Sequence, residues 1–146
     1  MMNEPKRFSL VKPTIDTPFH IDFAWWKQYD NNWRVFLHTC LCNEHQLLFS
    51  DSSNVTFIDW VDPVTAEVKP VDGIELTLIS HCSQQPDFVS SNTTLVDAVF
   101  RILIANGNRP MSPNEMAVMV HKPADIILKT LTGPRVYRGV RPCNAC

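Results

Sequence analysis

The stretch "MSPNEMAVMVHKPADIILKTLTGP", residues 111–134, constrains the fold more than any other part of the chain. Ser112 can accept from a backbone N–H, Pro113 suits the first helical position, and Glu115 sits where its carboxylate reaches back to the cap. A helix is therefore predicted over 113–120. His121 and Lys122 are the whole connection before Pro123 opens a second helix, predicted over 123–132. Ala124, Ile127, Leu128 and Leu131 line its inner face at three- and four-residue spacing. Gly133-Pro134 ends it. A connection this short forces the two helices to cross at once and to share a partner for their apolar faces.

That partner is legible upstream. Thr94 with Asp97 begins a helix predicted over 94–105, with Leu95, Val99, Ile102 and Leu103 on one face and a left-handed stop at Asn106-Gly107. Downstream, "RVYRGVRP" predicts a short strand over 135–140. Residues 1–18 are punctuated by Pro and expected to be extended. "IDFAWWKQY" predicts a short helix capped by Asp22. "NNWRVFLHTCLCNEHQLLF" predicts one amphipathic helix with Trp33, Phe36, Leu37, Cys40, Leu41 and Leu48 on its apolar side. "VTFIDWV" reads as a strand, and "DPVTAEV" as a turn feeding a second strand to make a hairpin. "DGIELTLISHC" supports a strand by alternation and a helix by the Asp72/Glu75 capping pair; helix is favoured, because residues 82–86 then follow as a loop. The class is α+β. N-terminal helices and a β-hairpin (1–91) are expected to pack on a C-terminal three-helix segment (92–142), with a short tail at 143–146, all in one domain.

Helix, loop, helix, tight turn, helix and strand over residues 92–142 resembles the winged helix-turn-helix domain. The resemblance does not extend to residues 1–91. It departs from the pattern in showing a single wing strand, so the second is absent or supplied from elsewhere, with "RFSLVK" as a candidate. The resemblance implies that the third helix enters a DNA groove and that the wing touches phosphate. The residues it nominates are Lys122 and Lys129 on that helix and Arg135, Arg138 and Arg141 beyond it. Asp125 on the same helix face opposes phosphate. Charge agrees in outline: residues 1–100 carry 6 Lys+Arg against 13 Asp+Glu, and residues 101–146 carry 7 against 2. Such a basic segment suits nucleic acid, an acidic protein partner, or the chain's own acidic half. A nucleic-acid-binding or transcription-associated role is expected first, and a protein-binding adaptor is the alternative.

Five Cys make an odd number, expected as reduced thiols or metal ligands in a cytoplasmic protein. Cys42-x-x-His45 and Cys143-x-x-Cys146 together would make a Cys₃His zinc site. The competing reading is ordinary thiols with a frayed tail. Cys82, next to His81, is a fourth ligand or a buried thiol, and Cys40 lies on the apolar stripe. His38, Cys42 and His45 would share one face if their helix is continuous. No ferredoxin-type spacing supports an iron–sulfur cluster. Trp25, Trp26, Trp33 and Trp60 suit an aromatic core better than a base-stacking platform.

The chain is expected to be non-enzymatic. Only 4 Gly are present, with no phosphate-cradling or nucleophile-elbow motif. The pairs Asp59/Asp62 and His20/Asp22 come with no nucleophile or anion site. No stretch reads as a signal peptide or a membrane span.

Overall fold

The computed structural model describes residues 12–49, 57–90 and 93–143. Among them are seven α-helices and two antiparallel two-stranded sheets, the expected α+β class. No helix there is long and apolar enough to cross a membrane.

Strand β1 (Phe19–Ile21) leads into α1 (Phe23–Tyr29). Asp22 caps that helix by accepting from the Trp25 N–H at 3.1 Å. Trp26 is thereby turned into the core. It meets Phe100 and Phe36 in edge-on contacts, at centroid distances of 5.4 and 6.0 Å.

The single helix expected over 31–49 is in fact two. α2 (Trp33–Cys40) stops, Leu41 and Cys42 are extended, and α3 (Asn43–Leu48) begins. Gln46 explains the break. Its side-chain amide donates to the carbonyls of Thr39 (3.3 Å) and Leu41 (2.9 Å), and its own carbonyl lies 3.1 Å from the His38 ring. The C-terminal carbonyls of α2 are thus satisfied from outside the helix.

The hairpin pairs β2 (Phe57–Val61) with β3 (Val68–Asp72), Phe57 opposite Asp72 and Val61 opposite Val68. Asp62 makes the turn: its carboxylate accepts from Val64 N–H (2.8 Å) and Thr65 N–H (3.3 Å). Asp72 ends β3 and caps α4 (Gly73–Ser80), accepting from the Ile74 and Glu75 N–H groups at 2.9 and 3.4 Å. It also pairs with Arg34 of α2. This double duty decides the ambiguous segment in favour of helix. Burial pulls the Arg34 pKa down, with Glu75 opposing. A 3₁₀ turn (Cys82–Gln84) follows α4.

The C-terminal trio forms as predicted, with α5 (Leu95–Ala105), α6 (Pro113–Val120) and α7 (Ala124–Leu131). Both halves of the Ser112/Glu115 capping box are made, at 3.2 and 2.8 Å. His121 adopts the left-handed conformation that lets so short a connection turn the chain.

The strand predicted over 135–140 lies instead at β4 (Val140–Pro142). Arg138 and Gly139 are left-handed, which makes a turn where the strand was expected. Gly139 is required there: a Cβ would lie 2.7 Å from the Trp26 Cβ. β4 pairs with β1 in the register Phe19↔Pro142 and Ile21↔Val140. On its other side, Phe19 exchanges both backbone hydrogen bonds with Met111, at 2.8 and 2.9 Å. The missing strand partner is therefore Phe19–Ile21; "RFSLVK" lies almost wholly outside the described residues. Buried side chains from both halves, among them Phe19, Trp26, Leu37, Phe100, Leu103, Met116 and Ile127, join in one cluster.

Candidate metal centre

Cys42 is the N-cap of α3, and His45 lies one turn further on. Residues three apart at a helix start face the same way, and the Cys42 Sγ sits 3.1 Å from the His45 Nδ1. The second pair comes from the far side of the hairpin. His81 caps the C-terminus of α4, and Cys82 opens the 3₁₀ turn. Because α4 packs beside α2 through Asp72 and Arg34, its end falls against the α2–α3 junction.

The four donor atoms converge. The sulfurs of Cys42 and Cys82 are 3.4 Å apart, Cys82 Sγ is 3.6 Å from His45 Nδ1, and Cys42 Sγ is 3.8 Å from His81 Nδ1. All four ligand atoms lie within 4.8 Å of one another. The His45 and His81 rings meet edge-on with centroids 4.5 Å apart. Zinc–sulfur and zinc–nitrogen bonds of about 2.3 and 2.0–2.1 Å imply tetrahedral edges of roughly 3.3–3.8 Å, and the separations in the cluster overlap that range. Residues Cys42, His45, His81 and Cys82 can hold a metal ion.

Burial grades across the cluster. Cys82 is 1% exposed, Cys42 and His45 are half-buried, and His81 is exposed. Burial is the main reason the Cys82 thiol is pushed up to about 11. A buried thiol resists ionisation in the bare protein, and a cation must displace its proton.

Of the expected ligands, Cys42 and His45 are in the cluster. Cys143 is not: it stands in a disulfide, and its backbone N–H donates to the Pro18 carbonyl at 2.9 Å. That pairing also departs from the expectation that the five Cys are reduced thiols or metal ligands. Cys146 lies outside the described residues. His81 and Cys82 complete the set. Their signal in the sequence is the adjacent His-Cys pair, which spacing alone could not match to Cys42-x-x-His45 across an intervening hairpin. His38 is turned away to the Gln46 carbonyl by the helix break. Cys40 is buried in the core, its thiol raised to about 11 mainly by desolvation.

The basic residues separate into two groups. Lys122, Lys129 and Arg135 are exposed. Arg138 lies 4.0 Å from the Asp30 carboxylate and 4.0 Å from the Phe36 ring centroid. Arg141 pairs with Asp22 at 3.2 Å and lies over Trp25 at 5.0 Å. The basic segment thus partly docks on the chain's own acidic half. Compared with protein-family models, with curated proteins and with solved structures, the chain matches none.

Proposed function

We propose that this chain is a non-enzymatic, protein-binding adaptor built around a structural zinc ion. The observation that carries the zinc is the convergence of two thiols and two imidazoles from segments separated by the hairpin. Four protein donors fill a tetrahedron and leave no open position for substrate, as in structural rather than catalytic zinc sites. The thiols choose zinc over calcium or magnesium, which prefer oxygen.

The partner class rests on the α6–α7 surface. β1 flanked by Met111 and β4 beside α5, α6 and α7 supports the winged-helix resemblance, with an N-terminal strand in the sheet. Val118, Met119 and Ile126 are 76%, 51% and 44% exposed on α6 and α7, with Lys122 and Lys129 beside them. That mixture suits an acidic, partly apolar protein surface better than a phosphate backbone, because Arg138 and Arg141 are engaged at home. Nucleic acid is the second reading, supported by the exposure of Lys122, Lys129 and Arg135. Salt separates the two. Binding to random duplex DNA that weakens steeply with salt and is lost in Lys122→Ala and Arg135→Ala would replace the adaptor reading.

The zinc is tested by native mass spectrometry of the full chain. One ion per chain is expected, retained in Cys143→Ser and lost in Cys42→Ser and Cys82→Ser. Loss in Cys143→Ser, or a chain purified in zinc that carries none, would refute it.

A further inference from the structure

We propose that Cys42 and Cys82 close into a disulfide when a peroxide reaches the metal-loaded cluster, and that closure releases the ion. The proposal rests on the zinc reading above and adds a regulation to the same four residues. Its basis is geometric. The two sulfurs are 3.4 Å apart, each the other's neighbour as well as a ligand. The site also has an open side: Cys42 is half-buried and His81 exposed, whereas Cys82 is sealed. An oxidant therefore meets the Cys42 sulfur first and finds Cys82 already in place to resolve the product.

The balance is complete with hydrogen peroxide as the oxidant. The Cys42 thiolate attacks one peroxide oxygen, the O–O bond breaks, a sulfenic acid forms and hydroxide leaves. The Cys82 thiolate then attacks the Cys42 sulfur, the S–S bond forms, the S–O bond breaks and a second hydroxide leaves. Two thiolates lose two electrons, and one peroxide gains them. The disulfide removes both thiolates from the site, and two imidazoles alone hold zinc poorly. Cys40 is the nearest competitor in sequence, but its side chain is turned into the core at 2% exposure. The contacts of the Cys42 sulfur run to His45, His81 and Cys82.

The test uses the full chain, loaded with zinc and freed of excess, with zinc content measured before anything is added. Rising hydrogen peroxide should then release one zinc for each Cys42–Cys82 disulfide found by non-reducing peptide mapping. Dithiothreitol with added zinc should restore the starting state. Cys82→His keeps four donors and should hold its zinc at peroxide levels that empty the native chain. Cys40→Ser should behave as the native chain does. Zinc retained under peroxide, or zinc released with both sulfurs oxidised but unlinked, or Cys42 found bonded to another cysteine, would each overturn the proposal. A chain that carries no zinc at the outset refutes the zinc reading, and the release step with it, whatever its thiols then do.

Discussion

Between Leu95 and Leu131, three helices bury Val99, Phe100, Ile102, Leu103, Met116 and Ile127 almost completely. Between Cys42 and Cys82, α3 buries no residue, and the hairpin exposes Phe57, Ile58, Val61 and Val68. An isolated two-stranded hairpin is marginal in water. A six-residue helix with no buried face is weaker still, since helices of that length draw their stability from packing. The first region is held by apolar area removed from water. The second buries Ile74, Leu78 and Cys82 from α4 and the turn after it, and adds a few polar devices: the Asp72 cap, the Arg34–Asp72 pair, the Gln46 clasp and the Cys/His cluster. Where burial is thin, as in α3, a metal ion held by the Cys/His cluster would add a strong interaction that fixes the arrangement.

The comparison breaks most readily in the first region. Phe100→Ala removes the ring that contacts both Trp26 and Phe36. It should destabilise the whole chain by about 3–5 kcal/mol in urea unfolding, equally with zinc or with chelator present. A zinc-dependent loss would mean that the two regions are not separately held. Gly139→Ala should cost on the order of 2 kcal/mol by the same measurement, because its Cβ would meet Trp26 in a left-handed backbone. An unchanged midpoint would show that β4 can shift away.

The two regions also differ in how much of them the sequence discloses. The trio was legible because its signals are local. Ser112, Pro113 and Glu115 lie within one turn, and each states the same boundary. The cluster was half legible. Cys42-x-x-His45 is a local pair, but its partner is fixed by the α2–α3 break and by the packing of α4 on α2. The break depends on a side-chain clasp that periodicity does not announce, Gln46 to Leu41, and the packing on a contact across the fold, Arg34 to Asp72. The continuous apolar stripe from Trp33 to Leu48 hid the break. β4 was misplaced because a left-handed Arg138 has no signature of its own, and only the approach of Trp26 explains why Gly139 follows it.

Smaller effects sharpen the contrast. Ser112→Ala removes one half of the α6 capping box and should cost about 1 kcal/mol, with hydrogen exchange faster at the start of α6. No change would show that Glu115 and Pro113 suffice. Arg138→Ala should cost about 1 kcal/mol or less, since its pair with Asp30 is long and partly solvated and its contact with Phe36 is lost as well. A larger loss would make the docking of the basic segment a main support of the fold.

The most direct test of the central claim is amide hydrogen exchange on the full chain, zinc-loaded and metal-free, read segment by segment. Removal of the ion should raise exchange in residues 42–48 and 76–84 by tenfold or more, which corresponds to about 1.4 kcal/mol of local stabilisation. Residues 95–131 should keep their protection. Equal loss of protection in both regions, or no change in residues 42–48 and 76–84, would contradict the account.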